Sequence, residues 1–395
     1  MMDAQQIHRT TFHAFMRGGL ATSLQRVQDA AIDVAEPDRE QAWHLLSFAL
    51  SLPEIWPHAA ALLLALTPKM ERAGFHTTWL PYLERGLVAA RQVGDQGVEA
   101  ELSLALGHLR QRMGKLAAAE ADVEHAVELF RSQALPPRLG AALNRLAEIV
   151  RVRHDIARAE RLTDEALSLL AGDAAEQGHS YLIKSRIAFN QRHWQACRGH
   201  LEQALALCQA AGAGRRIAVC LLNLGRVCQM EQDYAGGLEY DRRAIALFDQ
   251  LGDIFNRAAA QMNLGMVYSL MGESQDALEQ YARAEHVFRR LQDTRHLAKL
   301  ANSQAVEMHN LGRWQEAVEY FRRSSVFFLE LDDWQEYVNV QDNLGLVYLA
   351  RAEWDKAVEH YTALLAMVET SDRAIHPHLH AELIEHLQAA KTHLT

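Results

Sequence analysis

A small residue returns along this chain at a nearly constant step. Gly107, Ala147, Ser185, Gly225, Gly265, Ala305 and Gly345 are separated by 40, 38, 40, 40, 40 and 40 positions. Other columns keep the same register. Nine positions on stand Leu116, Ile156, Trp194, Tyr234, Ser274, Trp314 and Trp354, and three further on stand Ala119, Ala159, Cys197, Gly237, Ala277, Ala317 and Ala357. A third column runs from Ala126 to Leu364, and between these lies a bulkier one that includes Tyr281, Phe321 and Tyr361. Turns precede the aromatic column, as at Gly114-Lys115, Gly272-Glu273 and Gly312-Arg313. A unit of this length with one internal turn holds two helices. One such hairpin cannot bury its apolar faces alone, so neighbours must stack into a continuous core. That accounts for 395 residues, too many for one ordinary core, with one elongated array.

Composition agrees with an all-α chain. Apolar residues make up 49% and Pro only 8 positions, and the good helix formers Ala, Leu, Glu, Gln and Arg dominate. The net charge of −10, without a Lys/Arg block, argues against nucleic acid as the partner. Four cysteines without a C-x-x-C pair read as small buried hydrophobes in a reducing compartment. The longest apolar run, Ala59 to Leu66, falls short of the roughly 20 residues a bilayer crossing needs. The first thirty residues hold no apolar leader segment. A cytoplasmic location without membrane contact is the expectation.

The repeat register divides the chain. Residues 1–56 are expected to form a helical cap or small bundle, with helices near Ala4–Ala31 and Asp38–Leu50 and interruptions at Gly18-Gly19 and Glu36-Pro37. Residues 57–99 read as a degraded unit, Pro57–Gly74 giving its first helix and Trp79–Asp95 its second helix with a Gly-Asp turn. Residues 100–370 hold seven full units. Residues 371–395 read as a capping helix, because stacked repeats need polar ends.

The stretch from Asn263 to Ala284, NLGMVYSLMGESQDALEQYARA, resembles the tetratricopeptide repeat family: it has the Leu-Gly pair, Tyr268, the turn at Gly272, Ala277, Tyr281 and Ala284. Ser274 lacks the usual aromatic, and several early units lack the glycine. The forty-residue period is similar to the longer-helix variants in Pins-type adaptors, Rap-type peptide receptors and MalT-like regulators. The resemblance implies a right-handed superhelical solenoid whose first helices line a concave groove, and a protein or peptide as the occupant.

Catalytic signatures are absent from the sequence. There is no phosphate-binding loop, nucleophile elbow, H-E-x-x-H pair or dinucleotide motif. Gly212 and Gly214 fall in a turn between units. His376, His378, His380 and His386 form the densest histidine cluster, but Pro377 starts the helix after His376, and His378 and His386 lie about 12 Å apart, too far to share an ion. A solvated capping helix is the reading, with no metal and no cofactor. Glu128 with Arg131 and Glu279 with Arg283 read as surface pairs on outer helix faces. A non-enzymatic chain is expected.

The resemblance also indicates which columns face the groove. Two positions before the small residue stand Ala105, Arg145, Ile183, Asn223, Asn263, Ser303 and Asn343. Asn is locally unfavourable inside a helix. The family implies that Asn223, Asn263 and Asn343 hold a ligand backbone; the alternative is a bond to the next repeat. One position after the small residue stand Arg186 and Arg226, near Arg145, a set suited to an acidic ligand group; the alternative is pairing with Glu148. Met262, Met266 and Leu270, continued by Val306 and Leu346, form an apolar strip for a partner's side chains or an ordinary contact between helices. Two functions follow: a scaffold binding a protein or peptide segment, and a peptide-sensing regulatory receptor or the sensor arm of one.

Overall fold

The computed structural model describes residues 4–31 and 33–394. Residues 1–3 and 32, in the segment read as a cap, and residue 395, in the segment read as a capping helix, lie outside the described residues. Among the described residues all regular structure is helical. The helices are α1 (Ala4–Asp29), α2 (Glu36–Ala49), α3 (Trp56–Arg72), α4 (His76–Val93), α5 (Gln96–Arg112), α6 (Leu116–Ser132), α7 (Pro136–Val152), α8 (Ile156–Leu169), α9 (Ala174–Asn190) and α10 (Trp194–Ala210). They continue as α11 (Gly214–Met230), α12 (Tyr234–Gln250), α13 (Ile254–Leu270), α14 (Ser274–Arg290), α15 (Thr294–Asn310), α16 (Trp314–Glu330), α17 (Trp334–Ala350), α18 (Trp354–Thr370) and α19 (Pro377–Thr392). A single 3-10 turn, Pro53–Ile55, precedes α3.

Helix length and turn length together set the period. Most helices from α5 onward have 17 residues, and each from α5 to α17 is followed by one residue in the left-handed region. At the end of α4, Gly94 adopts φ 73°, and the Asp95 amide donates to the Ala90 carbonyl at 2.9 Å. This closes the last turn as a Schellman cap. Ala134, His154, Arg192, Gln232, Gln292, Asp332 and Ala352 occupy the same place without being glycine. The next helix starts at once, capped by the carboxylates of Asp95, Asp155, Asp173 and Asp293 on the third amide beyond each. The single 38-residue step has a local cause: α8 has only 14 residues, and the left-handed glycine after it comes at Gly172.

Within a pair, the small column lies against the bulky one. A Cβ on Gly345 would stand 2.4 Å from Cζ of Tyr361, and one on Gly265 would stand 2.5 Å from Cε1 of Tyr281. Both tyrosines are buried. The close approach therefore requires glycine at those positions, and each ring fills the space beside the bare backbone.

The chain divides into two compact units. One holds residues up to Asp233 with Arg243–Phe255; the other holds Tyr234–Arg242 and Asn256 onward. In the first unit, α1 to α5 share one apolar core around Leu20, Leu46, Leu63 and Trp79, and α5 to α9 share the next around Phe130, Leu143 and Ile149. In the second, Phe321, Phe328, Leu344 and Val347 form one core, and Tyr361, Leu364, Leu379 and Leu383 join α19 to the last pair. Consecutive helix pairs pack as repeats in each unit, an all-α solenoid arrangement.

Two expectations need correction. Gly18-Gly19 does not interrupt α1, which runs unbroken for 26 residues; at Gly19 the missing side chain lets Leu45 of α2 close in, with 3.2 Å to an imagined Cβ. Arg131 pairs with Glu165 of the next repeat at 2.8 Å, so its partner comes from the stack and not from Glu128 of its own helix. Glu279 does meet Arg283, at 2.5 Å. His376 stands before α19 as its cap, its ring accepting from the His378 amide at 3.2 Å.

Candidate binding face

The first helices of successive pairs lie side by side in the first unit: α3, α5, α7, α9 and α11. Their shared face is charged and largely self-paired. Glu71 of α3 meets His108 of α5 at 2.9 Å. Glu148 of α7 receives Arg151 and Arg186, each at 2.8 Å. Glu176 of α9 takes Arg216 of α11 and, at 3.6 Å, His179. Arg215 of α11 meets Asp253, just before α13, at 2.7 Å. Two residues on, Phe255 lies under the guanidinium of Arg112, 4.1 Å from ring centroid to Cζ, and 6.0 Å from the ring of His76. The contacts thus run from α3 through α11 to the start of α13 and return to α4 and α5. Buried Asn144 ties the same helices together, donating to the Glu176 carbonyl at 3.1 Å and accepting from Ser180 at 2.8 Å.

The electrostatics follow from burial against pairing. Burial disfavours the charge on Glu71, Glu148 and Glu176. Hydrogen bonds and neighbouring charges outweigh it and hold all three at about 2: His108 and Arg145 for the first, Arg186 and Arg151 for the second, His179 and Arg216 for the third. His108 is pushed down to about 4 by burial and by Arg145, against the pull of Glu71. Burial likewise lowers Arg145, against the attraction of Glu71, Glu148 and Glu176. Guanidinium groups outnumber carboxylates in this network, although the protein carries −10 overall.

The residues singled out from the sequence take different positions. Arg186 is paired with Glu148. Arg226 stacks over Phe189, 4.5 Å from the ring centroid. Arg145 is half-buried and takes no carboxylate within 4 Å and no protein hydrogen bond among the described residues. Asn223 donates to the Val219 carbonyl of its own helix at 2.7 Å. In the second unit, Asn343 donates to Asn302 of the preceding first helix at 3.2 Å. Asn263 is half-buried and makes no protein hydrogen bond among the described residues. Met266 and Leu270 are 41% and 48% exposed, while Met262, Val306 and Leu346 are half-buried. The four cysteines are buried.

Sequence reasoning passed over Glu71, Arg112, Glu176, Arg215, Arg216, Asp253 and Phe255. One signal was available: Glu148 with Arg186, Glu176 with Arg216 and Arg215 with Asp253 are 38, 40 and 38 positions apart. An acid and an arginine one period apart fall side by side when the repeats stack. No helix among the described residues is long and apolar enough to cross a membrane.

Tetratricopeptide repeat models match residues 218–290, 297–370 and 100–133. No curated protein matches the sequence. Among solved structures, an APC/C hetero-tetramer is similar at 15% identity and TM-score 0.59, over 93% of this chain and 62% of that one. A STAND-type signal-transduction ATPase with a tetratricopeptide repeat sensor, from Pyrococcus horikoshii, is similar at 12% identity and TM-score 0.55, over 91% and 53%. A Rap protein complexed with competence and sporulation factor is similar at 14% identity and TM-score 0.54, over 89% and 99%. At these identities the likeness concerns the fold. The seven-unit register, the 17-residue helix pairs and the matched models lead to one conclusion: this chain is a helical repeat protein that carries tetratricopeptide repeats.

Proposed function

We propose that the chain is a non-catalytic scaffold that binds a protein or peptide segment along the faces of its first helices. The observation that carries this reading is Asn263. Its amide stands half-buried on α13 without a protein partner, beside the exposed Met266 and Leu270. A helix gains nothing from an unpaired Asn in its interior, whereas an extended backbone offers that amide both a donor and an acceptor. In the second unit, Asn263 and Asn343 hold the segment's backbone, and Met262, Met266 and Leu346 take its apolar side chains. In the first unit, Asn223 plays the same part, and the arginine-rich face of Arg145, Arg186 and Arg226 receives an acidic group.

A second reading is a peptide-sensing regulatory receptor or sensor arm. The likeness to the Rap protein complexed with competence and sporulation factor spans 89% of this chain, which takes in helices ahead of the seven units. Compaction on ligand addition, seen by small-angle scattering, separates a receptor from a rigid scaffold.

The test is capture from lysate with the full chain as bait, beside the Asn223/Asn263/Asn343→Ala variant. The scaffold reading expects a partner retained by the wild type and lost by a variant that melts within a few degrees of it. Equal retention by both overturns the asparagine-lined site.

A further inference from the structure

A cavity of about 210 Å³ opens between α8, α9 and α10 in the first unit. Lys184, Ile187, Ala188 and Gln191 line it from α9, on a face of that helix other than the one that carries Arg186. Glu160 and Asp164, four apart on α8, form one wall, and Ala196 and His200 of α10 form another. Asp164 receives Lys184 at 2.6 Å. Glu160 is exposed and meets no cation within 4 Å among the described residues. Two carboxylates thus face one ammonium across the cavity.

The same joint one repeat earlier shows what fills such a space. Glu120 and Glu124 of α6 stand 40 positions before Glu160 and Asp164. There Arg158 donates to Glu120 at 2.5 Å and also to Glu124, and Arg153 donates to Glu120. Two carboxylates meet two guanidinium groups. The 38-residue step carries Arg158 onto Ala196, Arg153 onto Gln191 and Val150 onto Ala188. The acids of this joint persist while the arginines and the bulkier apolar side chain are gone. The cavity is therefore the outline of a missing arginine: acceptors at the mouth for a planar fork, and buried Ile187 and Ala188 below for an aliphatic stem.

We propose that this cavity is a binding site for a guanidinium group on an aliphatic stem, held by Glu160 and Asp164. The group comes from an arginine side chain of a bound segment or from a free guanidino compound. The site lies apart from the asparagine-lined faces and does not rest on the scaffold reading.

Titration calorimetry of the full chain with acetyl-Gly-Arg-Gly-amide and with agmatine, at constant ionic strength, tests it. At least one probe binds saturably to the wild type, and the uncharged citrulline match of the peptide does not. Glu160→Gln weakens binding by about tenfold, as expected for loss of a charge-assisted contact. Glu279→Gln, which removes an exposed carboxylate in the second unit, leaves binding unchanged. Ala196→Arg restores the side chain that the earlier joint has at Arg158; it abolishes probe binding and melts higher than the wild type, which guards against a folding artefact. Tighter binding of the peptide assigns a partner's side chain, and tighter binding of agmatine assigns a free compound. No saturable binding by the wild type, equal binding of the citrulline peptide, or binding undiminished in both Glu160→Gln and Ala196→Arg overturns the site. Loss of partner capture in the asparagine variant has no effect on probe binding here, so the two readings fail separately.

Discussion

Arg186 reaches back 38 residues to the carboxylate of Glu148, 2.8 Å away, and so binds one repeat to the next through charge. Glu148 is buried, and Arg151 holds its other side. Arg186→Gln is expected to destabilise the protein by about 1–3 kcal/mol, since a buried carboxylate loses one of two charged partners. Urea unfolding of wild type and variant measures this; a difference below about 0.5 kcal/mol would show that Arg151 alone suffices.

Acid should act on the same network in two stages. His108 stays neutral in the folded chain down to about 4, whereas the unfolded chain takes up its proton near 6.5. Stability therefore falls as pH drops from 6.5 towards 4. Glu71, Glu148 and Glu176 titrate at about 2 when folded, against 4.5 in the reference state. Their stabilisation is complete above about 4.5 and is lost as pH falls from there through 2. Thermal midpoints followed by circular dichroism from pH 8 to pH 3 should decline from near 6.5 and steepen below 4.5. His108→Gln should flatten the first stage in part, because burial also lowers His179, and should lessen the second through Glu71, which loses its His108 partner.

The exposed turns offer a gain in stability. Ala134 and Ala352 adopt φ of 50° and 55°, where a Cβ is strained. Glycine at either position should stabilise by about 1 kcal/mol, less the entropy it adds to the unfolded chain. A fall in melting temperature for both variants would contradict the strained-turn account.

Gly345→Ala should do the opposite. The new methyl meets the Tyr361 ring at 2.4 Å, and that ring is fixed by a hydrogen bond from its hydroxyl to the Asp342 carbonyl at 3.1 Å. A cost of about 1–3 kcal/mol is expected from overpacking. Gly345→Ala combined with Tyr361→Phe tests whether the fixed ring is the cause, since a ring free to shift recovers part of the loss.

What could be read in the chain was what recurs. Gly265 with Tyr281 and Gly345 with Tyr361 lie within one helix pair, so their partnership shows in the spacing. The pair Glu148 and Arg186 was partly legible, since it sits one period apart; its significance needed the stack. Phe255 with His76 and Arg112 was not legible at all. That meeting depends on how several repeats accumulate rotation, and no local pattern encodes the sum. The fate of the asparagines was also hidden, because the same residue bonds its own helix at Asn223, its neighbour at Asn343 and no protein group at Asn263.

The ring of Phe255 has a bearing on how this protein folds. Stacked repeats touch only their neighbours in the usual case, so folding starts anywhere and spreads, and contacts stay local in sequence. Here the start of α13 must find His76 and Arg112, which precede it by several repeats. That contact raises contact order and imposes a loop-closure cost before it returns any stabilisation. The first unit is then bound into one cooperative folding block, in which repeats cannot be deleted or inserted one at a time as in a simple linear array.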